Sequence, residues 1–194
     1  MRISGGQARG IPLVVPKGDA VRPATDGMRQ AVFSSLAVRV PGARFLDLFA
    51  GSGAYGLEAL SRGAAGGVWV ERNAKALVCL RQNLAAVGRC LGRDLADARV
   101  LMADATTVPW PEAGAPDLVF IDPPYEIIPL VAPRLFLRLT DLLQAVVDPV
   151  VIFEMPGATV LEPPGWTCVR RLGKGAHQPT VGFFRRTTSL PAGP

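Results

Sequence analysis

One histidine and three cysteines are all that the chain offers to a Cys/His zinc site, and Cys79, Cys90 and Cys168 form no Cys-x-x-Cys pair. That scarcity argues against a Cys/His zinc site. An odd number of cysteines without a framework reads as reduced thiols of a reducing compartment. Long hydrophobic runs are missing as well. Although 49% of the residues are hydrophobic, no apolar stretch approaches the ~20 residues of a membrane-spanning helix. The opening MRISGGQARG lacks the apolar central segment of a secretory signal. There is no internal repeat, and the only low-complexity piece is the tail SLPAGP, residues 189–194, which reads as disordered. These absences predict a cytoplasmic protein with no metal and no membrane attachment, and a monomer is expected.

What is present fits one α/β domain with a short appendage, since 194 residues suffice for a single core. Charge is unevenly spread. Residues 1–44 carry seven basic residues against Asp19 and Asp26, and residues 165–194 carry five basic residues and no acid. The segment 45–164 carries nine basic and fourteen acidic residues. An acidic body with basic ends suits a polyanionic partner, because neutralised phosphates release counterions.

Two β-compatible pieces, around Arg2–Ser4 and Ile11–Val15, predict an N-terminal hairpin. Thr25 or Asp26 can cap a helix over 27–40, with Met28, Val32, Phe33 and Leu36 at helical spacing. Residues 1–42 thus form a basic extension, and 43–188 an alternating α/β body. In that body ARFLDLF, GGVWVE, ARVLMAD, PDLVFID and DPVVIFE read as strands. Helices are expected over 53–62, 73–87 and 131–146. Two last β segments, 167–172 and 180–186, have a short connection and predict an antiparallel edge hairpin. The expected fold is a Rossmann-like, mostly parallel sheet of seven strands covered on both faces. Ligands of such sheets bind beyond the strands' carboxyl ends, at the switch point.

Asp47, Glu71, Asp104 and Asp122 stand at those carboxyl ends. Gly51-Ser52-Gly53-Ala54-Tyr55-Gly56 satisfies G-x-G-x-x-G, and Glu71 follows about twenty residues later, as in a dinucleotide site. Asp47 favours a different ligand. A carboxylate before the loop repels a pyrophosphate but attracts the ammonium and sulfonium of S-adenosylmethionine. Glu71 can accept from both ribose hydroxyls, and Asp104 from the adenine amine. Asp122-Pro123-Pro124-Tyr125 is the most specific motif. Its prolines restrict the backbone, so the Asp122 carboxylate and Pro123 carbonyl can both accept from a planar NH2 group and steer its lone pair toward a methyl carbon. Tyr125 offers a stacking face for an extruded base. His177 reads as a surface residue and Glu154 as structural.

The stretches MRISGGQARG, Arg22-Pro23-Ala24-Thr25-Asp26, FLDLFAGSGAYGLEALSRGA, VFIDPPY and TVGFFRR together resemble the RsmD family of bacterial 16S ribosomal RNA guanine-N2 methyltransferases. The resemblance spans almost the whole chain. It implies methylation of a guanine N2 amine in 16S RNA of the assembled or assembling small subunit. Cofactor roles then fall to Asp47, Phe49, Ala50, Gly51, Gly53, Glu71, Arg72, Asp104 and Ala105, and catalytic roles to Asp122, Pro123 and Tyr125. Arg2, Arg9, Arg22, Thr25 and Arg29 become RNA-contacting residues. The chain departs from the family pattern after Asp26, where Gly27 stands in place of Arg and Ser34 in place of Asn, and again at Gly175-Ala176-His177-Gln178-Pro179. Alternatives are transfer to another planar nitrogen (DNA adenine or protein glutamine), an NAD-dependent oxidoreductase, and a non-catalytic RNA-binding assembly factor.

Overall fold

A computed structural model describes residues 1–16, 26–109, 114–176 and 178–187. The expectations for Arg22, Thr25, His177 and the tail lie outside the described residues. Helix α1 (Asp26–Ser35) is followed by β1 (Arg44–Leu48), α2 (Ala54–Ser61), β2 (Gly66–Glu71), α3 (Ala74–Leu91), β3 (Ala98–Met102) and β4 (Leu118–Ile121). A 3-10 turn (Tyr125–Ile127) then leads into α4 (Ile128–Leu142), β5 (Val150–Pro156), β6 (Trp166–Leu172) and β7 (Pro179–Arg186).

The seven strands form one sheet in the order β3-β2-β1-β4-β5-β7-β6. Within that order, strands β1 to β5 pair in parallel, and β7 runs antiparallel to both β5 and β6. The expected edge hairpin is therefore present. The chain order reverses between β1 and β4, which makes their carboxyl ends the switch point. Val68, Trp69 and Val70 on β2 and all of β4 are buried, as a sheet covered on both faces requires. One face packs Phe45, Phe120 and Ile152 under α1, α2 and α3. The other packs Leu48, Ile121 and Phe153 under α4.

Three helices end differently from expectation. Helix α1 stops at Ser35 and continues as turns, where the Leu36 N–H bonds both the Val32 and Phe33 carbonyls. Helix α3 runs on to Leu91, and Gly92 at φ 60° closes it. Helix α4 starts three residues earlier than its apolar periodicity suggests, because Pro129 is suited to a first helical turn.

The N-terminal hairpin is reduced to a single bridge, Arg2 with Pro12, supported by Ile3 N–H to Ile11 carbonyl at 2.9 Å. Its apolar residues Ile3, Ala8 and Leu13 are buried in the same cluster as Phe33 and Leu57. The Asn83 side chain, itself 1% exposed, donates to the Val14 and Ser52 carbonyls and accepts from the Val14 N–H. One buried amide thereby couples the N-terminal segment to the glycine loop.

Candidate active site

Strand β1 ends in a loop of unusual backbone. Phe49 has φ 58°, the one positive value among the described non-glycine residues, and Gly51 and Gly53 follow at 54° and 86°. A left-handed phenylalanine is strained and persists only where its surroundings impose it, which is common at ligand loops. The loop is then held from below. Asp47 is 2% exposed and its Oδ2 accepts from the Gly56 N–H at 2.9 Å. Gly56 must be glycine for another reason: a Cβ there would stand 2.3 Å from Trp69 Nε1 and 2.6 Å from Phe45. Helix α2 consequently rests directly on the sheet.

Glu71 holds the loop from the side. Its Oε2 accepts from the Gly51 N–H at 2.8 Å and its Oε1 from the Asn73 N–H at 2.7 Å. Each oxygen keeps a second lone pair for a ligand hydroxyl. Asp104 closes the turn after β3, accepting from the Thr106 hydroxyl and N–H. These bonds hold its carboxyl below the ordinary carboxylate range, and its Oδ2 lies 3.5 Å from Arg72 Nη1.

Just after β4, Asp122 is partly buried and its N–H donates to the Leu48 carbonyl at 3.4 Å. Pro123 is buried, Pro124 is exposed, and Tyr125 is 38% exposed at the start of the 3-10 turn. Desolvation pushes the Asp122 carboxyl well above its ordinary value, and the charges of Glu154 and Asp47 add to this. Desolvation also pushes Asp47 up to about 8, opposed by the Gly56 N–H and reinforced by Glu71. Concentrated buried carboxyls of this kind favour an incoming cation.

Four acids from four neighbouring strands thus stand at or beside the carboxyl ends of β1 to β4, the end of the sheet that carries the switch point. Such a set of acceptors fits a ligand rich in donors and positive charge: an ammonium, a sulfonium, ribose hydroxyls and an adenine amine. It does not fit a pyrophosphate. Asp47 is too deeply placed to offer a broad contact; what it gives the site is its bond to the Gly56 N–H, which organises the loop. The side chain of Ala105 is buried in the core beside α4, which leaves its backbone as the part that could meet a ligand. Among the described residues no group of three or more His, Cys, Asp or Glu could hold a metal ion, and no helix is long and apolar enough to cross a membrane.

The expected RNA contacts separate. Arg9 is exposed, as is the Arg2 side chain at 73%. Arg29 corrects the sequence expectation. Its side chain is wholly buried, with Nε on Glu58 at 3.2 Å and Nη2 on Asp26 and on the Arg2 carbonyl. It is an internal tie of the extension and presents nothing to RNA. Two residues that sequence spacing does not single out, Tyr55 and Arg171, brace the surroundings of the strand-end acids. Tyr55, read only as a position of the glycine motif, donates its hydroxyl to Glu154 Oε2 at 3.0 Å. Arg171 binds the Pro156, Gly157 and Thr159 carbonyls and the Thr180 hydroxyl. It fastens the rim after β5 to the β6–β7 hairpin.

The sheet order, the strained loop and the acids at the switch point define a domain of the Rossmann-like methyltransferase fold. The chain belongs to the family described as Conserved hypothetical protein 95, whose profile matches residues 1–180. It is 41% identical over 125 residues to Ribosomal RNA small subunit methyltransferase D of Escherichia coli strain K12, covering 64% of this chain and 60% of that protein. The chain therefore spans about three fifths of the length of that curated relative in the aligned region. Among solved structures, yhhF of Escherichia coli, described provisionally as a methyltransferase, superposes with TM-score 0.74 at 31% identity, covering 96% of this chain and 97% of that one. A hypothetical protein of Thermus thermophilus gives TM-score 0.70 at 31% identity, covering 94% and 98%.

Proposed function

We propose that the chain transfers the methyl group of S-adenosylmethionine to the exocyclic N2 amine of a guanine in 16S ribosomal RNA of the small subunit. The observation that carries the reading is the position of Asp122-Pro123-Pro124-Tyr125: it follows β4 directly across the switch point from the strained Phe49–Gly53 loop. When bound, S-adenosylmethionine supplies an electrophilic methyl on a sulfonium, already a good leaving group. The protein's part is then mostly placement.

Glu71 holds the ribose hydroxyls with the lone pairs left after Gly51 and Asn73, and Asp104 accepts from the adenine amine. The Asp122 carboxylate and Pro123 carbonyl accept the two N–H groups of the target amine, aim its lone pair and favour its pyramidal form. Tyr125 stacks on the base. Arg2 and Arg9 contact RNA phosphates, and residues 1–42 act as an RNA-facing extension of the catalytic body 43–188. The relative's name, Ribosomal RNA small subunit methyltransferase D, supports the substrate class.

The test is incubation with labelled S-adenosylmethionine and unmodified small subunits, naked 16S RNA, DNA or protein, followed by mapping of the label. Label on a guanine N2 is expected. Label on DNA adenine or on a glutamine would replace the acceptor, and no transfer despite cofactor binding would sink the enzymatic reading.

A further inference from the structure

Glu154 is the neighbour of Asp122 in the sheet. Ile121 pairs with Phe153 across the parallel strands β4 and β5, so Asp122 and Glu154 come next on each. Alternation along a strand turns both toward the face that carries Phe120 and Ile152. Asp47, paired with Phe120 across β1 and β4, shares that face. Tyr55 covers them: its ring stacks on Phe120 with centroids 5.2 Å apart, and its hydroxyl reaches Glu154 at 3.0 Å. Glu154 is 2% exposed and Tyr55 is 5% exposed.

A glutamate closed off from water calls for an explanation, because a buried carboxylate is costly unless paired or protonated. Arg29 of α1 faces both Glu154 and Tyr55 electrostatically, yet its hydrogen bonds go to Glu58, Asp26 and the Arg2 carbonyl. Among the described residues, no arginine or lysine forms an ion pair with Glu154. Its side chain accepts from the Tyr55 hydroxyl, and its neighbour in register is the carboxylate that handles the amine.

Resting on the methyl-transfer reading, we propose that Glu154, held by Tyr55, is a positioning residue that shares with Asp122 the proton released by the methylated amine. As the nitrogen bonds the methyl carbon, the carbon–sulfur bond breaks and its electron pair stays on sulfur. One N–H proton passes to Asp122, and the Asp122–Glu154 pair holds it until solvent removes it. Before transfer the two carboxyls face a sulfonium, which favours their ionised forms. Afterwards they face a neutral thioether, which favours one proton on the pair. The surroundings suit a shared proton. Burial lifts Glu154 to about 7, against the Tyr55 hydroxyl and Arg29. The charges of Glu154 and Asp47 oppose ionisation of Asp122, while Glu71 acts on Asp47.

Calorimetry on the full chain tests this without relying on turnover. S-adenosylmethionine and S-adenosylhomocysteine are bound near neutral pH in buffers of different ionisation enthalpy, which counts protons exchanged. The sulfonium ligand should expel more protons than the thioether, and Glu154→Gln should reduce that difference. Tyr55→Phe keeps the ring but removes the hydroxyl that favours ionised Glu154, so it should move the exchange, and the kcat–pH profile, to higher pH. Glu154→Gln should lower kcat about tenfold, less than the ~10²-fold expected of a group that takes the proton itself, with KM for the cofactor within about twofold. Proton counts and pH profiles unmoved in both folded variants would overturn the proposal while transfer persists. Absence of transfer by the unaltered protein to every acceptor would instead overturn the reading on which it rests.

Discussion

Arg29 Nε lies 3.2 Å from Glu58 Oε2, and neither side chain is exposed to solvent. The same Glu58 accepts from the Ser4 N–H and hydroxyl and from Arg62 Nε. One buried carboxylate on α2 therefore ties down the N-terminal segment and α1 together. Removing one partner strands the other's charge in the core, which typically costs about 3–5 kcal/mol. Glu58→Ala and Arg29→Ala should each destabilise the protein on that scale, read from urea unfolding. A loss below ~1 kcal/mol, the range of exposed pairs, would show that the tie is dispensable.

Asp122 should separate chemistry from cofactor binding. Asp122→Ala is expected to abolish transfer while S-adenosylmethionine affinity changes less than about tenfold, ~1.4 kcal/mol. Asp47→Ala should act in the opposite sense and mainly weaken the cofactor. Full activity in both variants, measured by label transfer and calorimetry, would refute these roles.

The ligand-free protein should lose stability as pH rises. Asp47 lies at about 8 and Glu154 at about 7, whereas unfolded carboxyls titrate near ~4. Between those values the native state holds more protons than the unfolded state, so stability is greatest at the acid end and falls through the window, flattening above about 8. Thermal melts at about pH 5.5 and 8 should show this decline, and Asp47→Asn should flatten part of it. Cationic S-adenosylmethionine favours the ionised carboxyls, so its affinity should rise over the same interval. An affinity that falls with pH would contradict the assignment.

Gly56→Ala should be among the worst small substitutions. The added methyl meets Trp69 and Phe45 on the sheet rather than solvent. Overpacking of this kind costs about 1–3 kcal/mol, and the displaced helix end should also loosen the Asp47 bond beneath the loop. Chemical denaturation and cofactor titration would register both effects.

Arg171→Ala should release the rim. With four bonds to the segment after β5 and to Thr180 lost, KM for RNA is expected to rise several-fold, with cofactor affinity unchanged. Equal losses for RNA and cofactor would mean a wider disturbance of the sheet.

Sequence patterns carried much of this architecture because strands buried on both faces spell themselves as apolar runs, as VFI of β4 and VVIF of β5 do. The acids at their ends stand out against that background. Periodicity was a poorer guide to helix ends: α1 and α3 stop where Leu36 and Gly92 redirect the backbone, a local hydrogen-bonding matter that apolar spacing does not encode. The burial of Arg29 is hidden from the sequence for a related reason. A basic residue in a basic segment looks solvated until the acids it meets, Glu58 among them, are brought from elsewhere in the chain.

The placement of Asp47, the glycine loop, Glu71, Asp104 and Asp122-Pro123-Pro124-Tyr125 at strand ends was determined by sequence alone, because each follows or closes a recognisable apolar run and needs no distant partner to be noticed. Tertiary structure decided which of the remaining polar residues matter. Tyr55 meets Glu154 across 99 positions, and Glu58 meets Ser4 across 54. Such pairs exist only once the sheet is ordered, since hydrogen bonding and burial depend on distances in space that residue spacing along the chain does not contain.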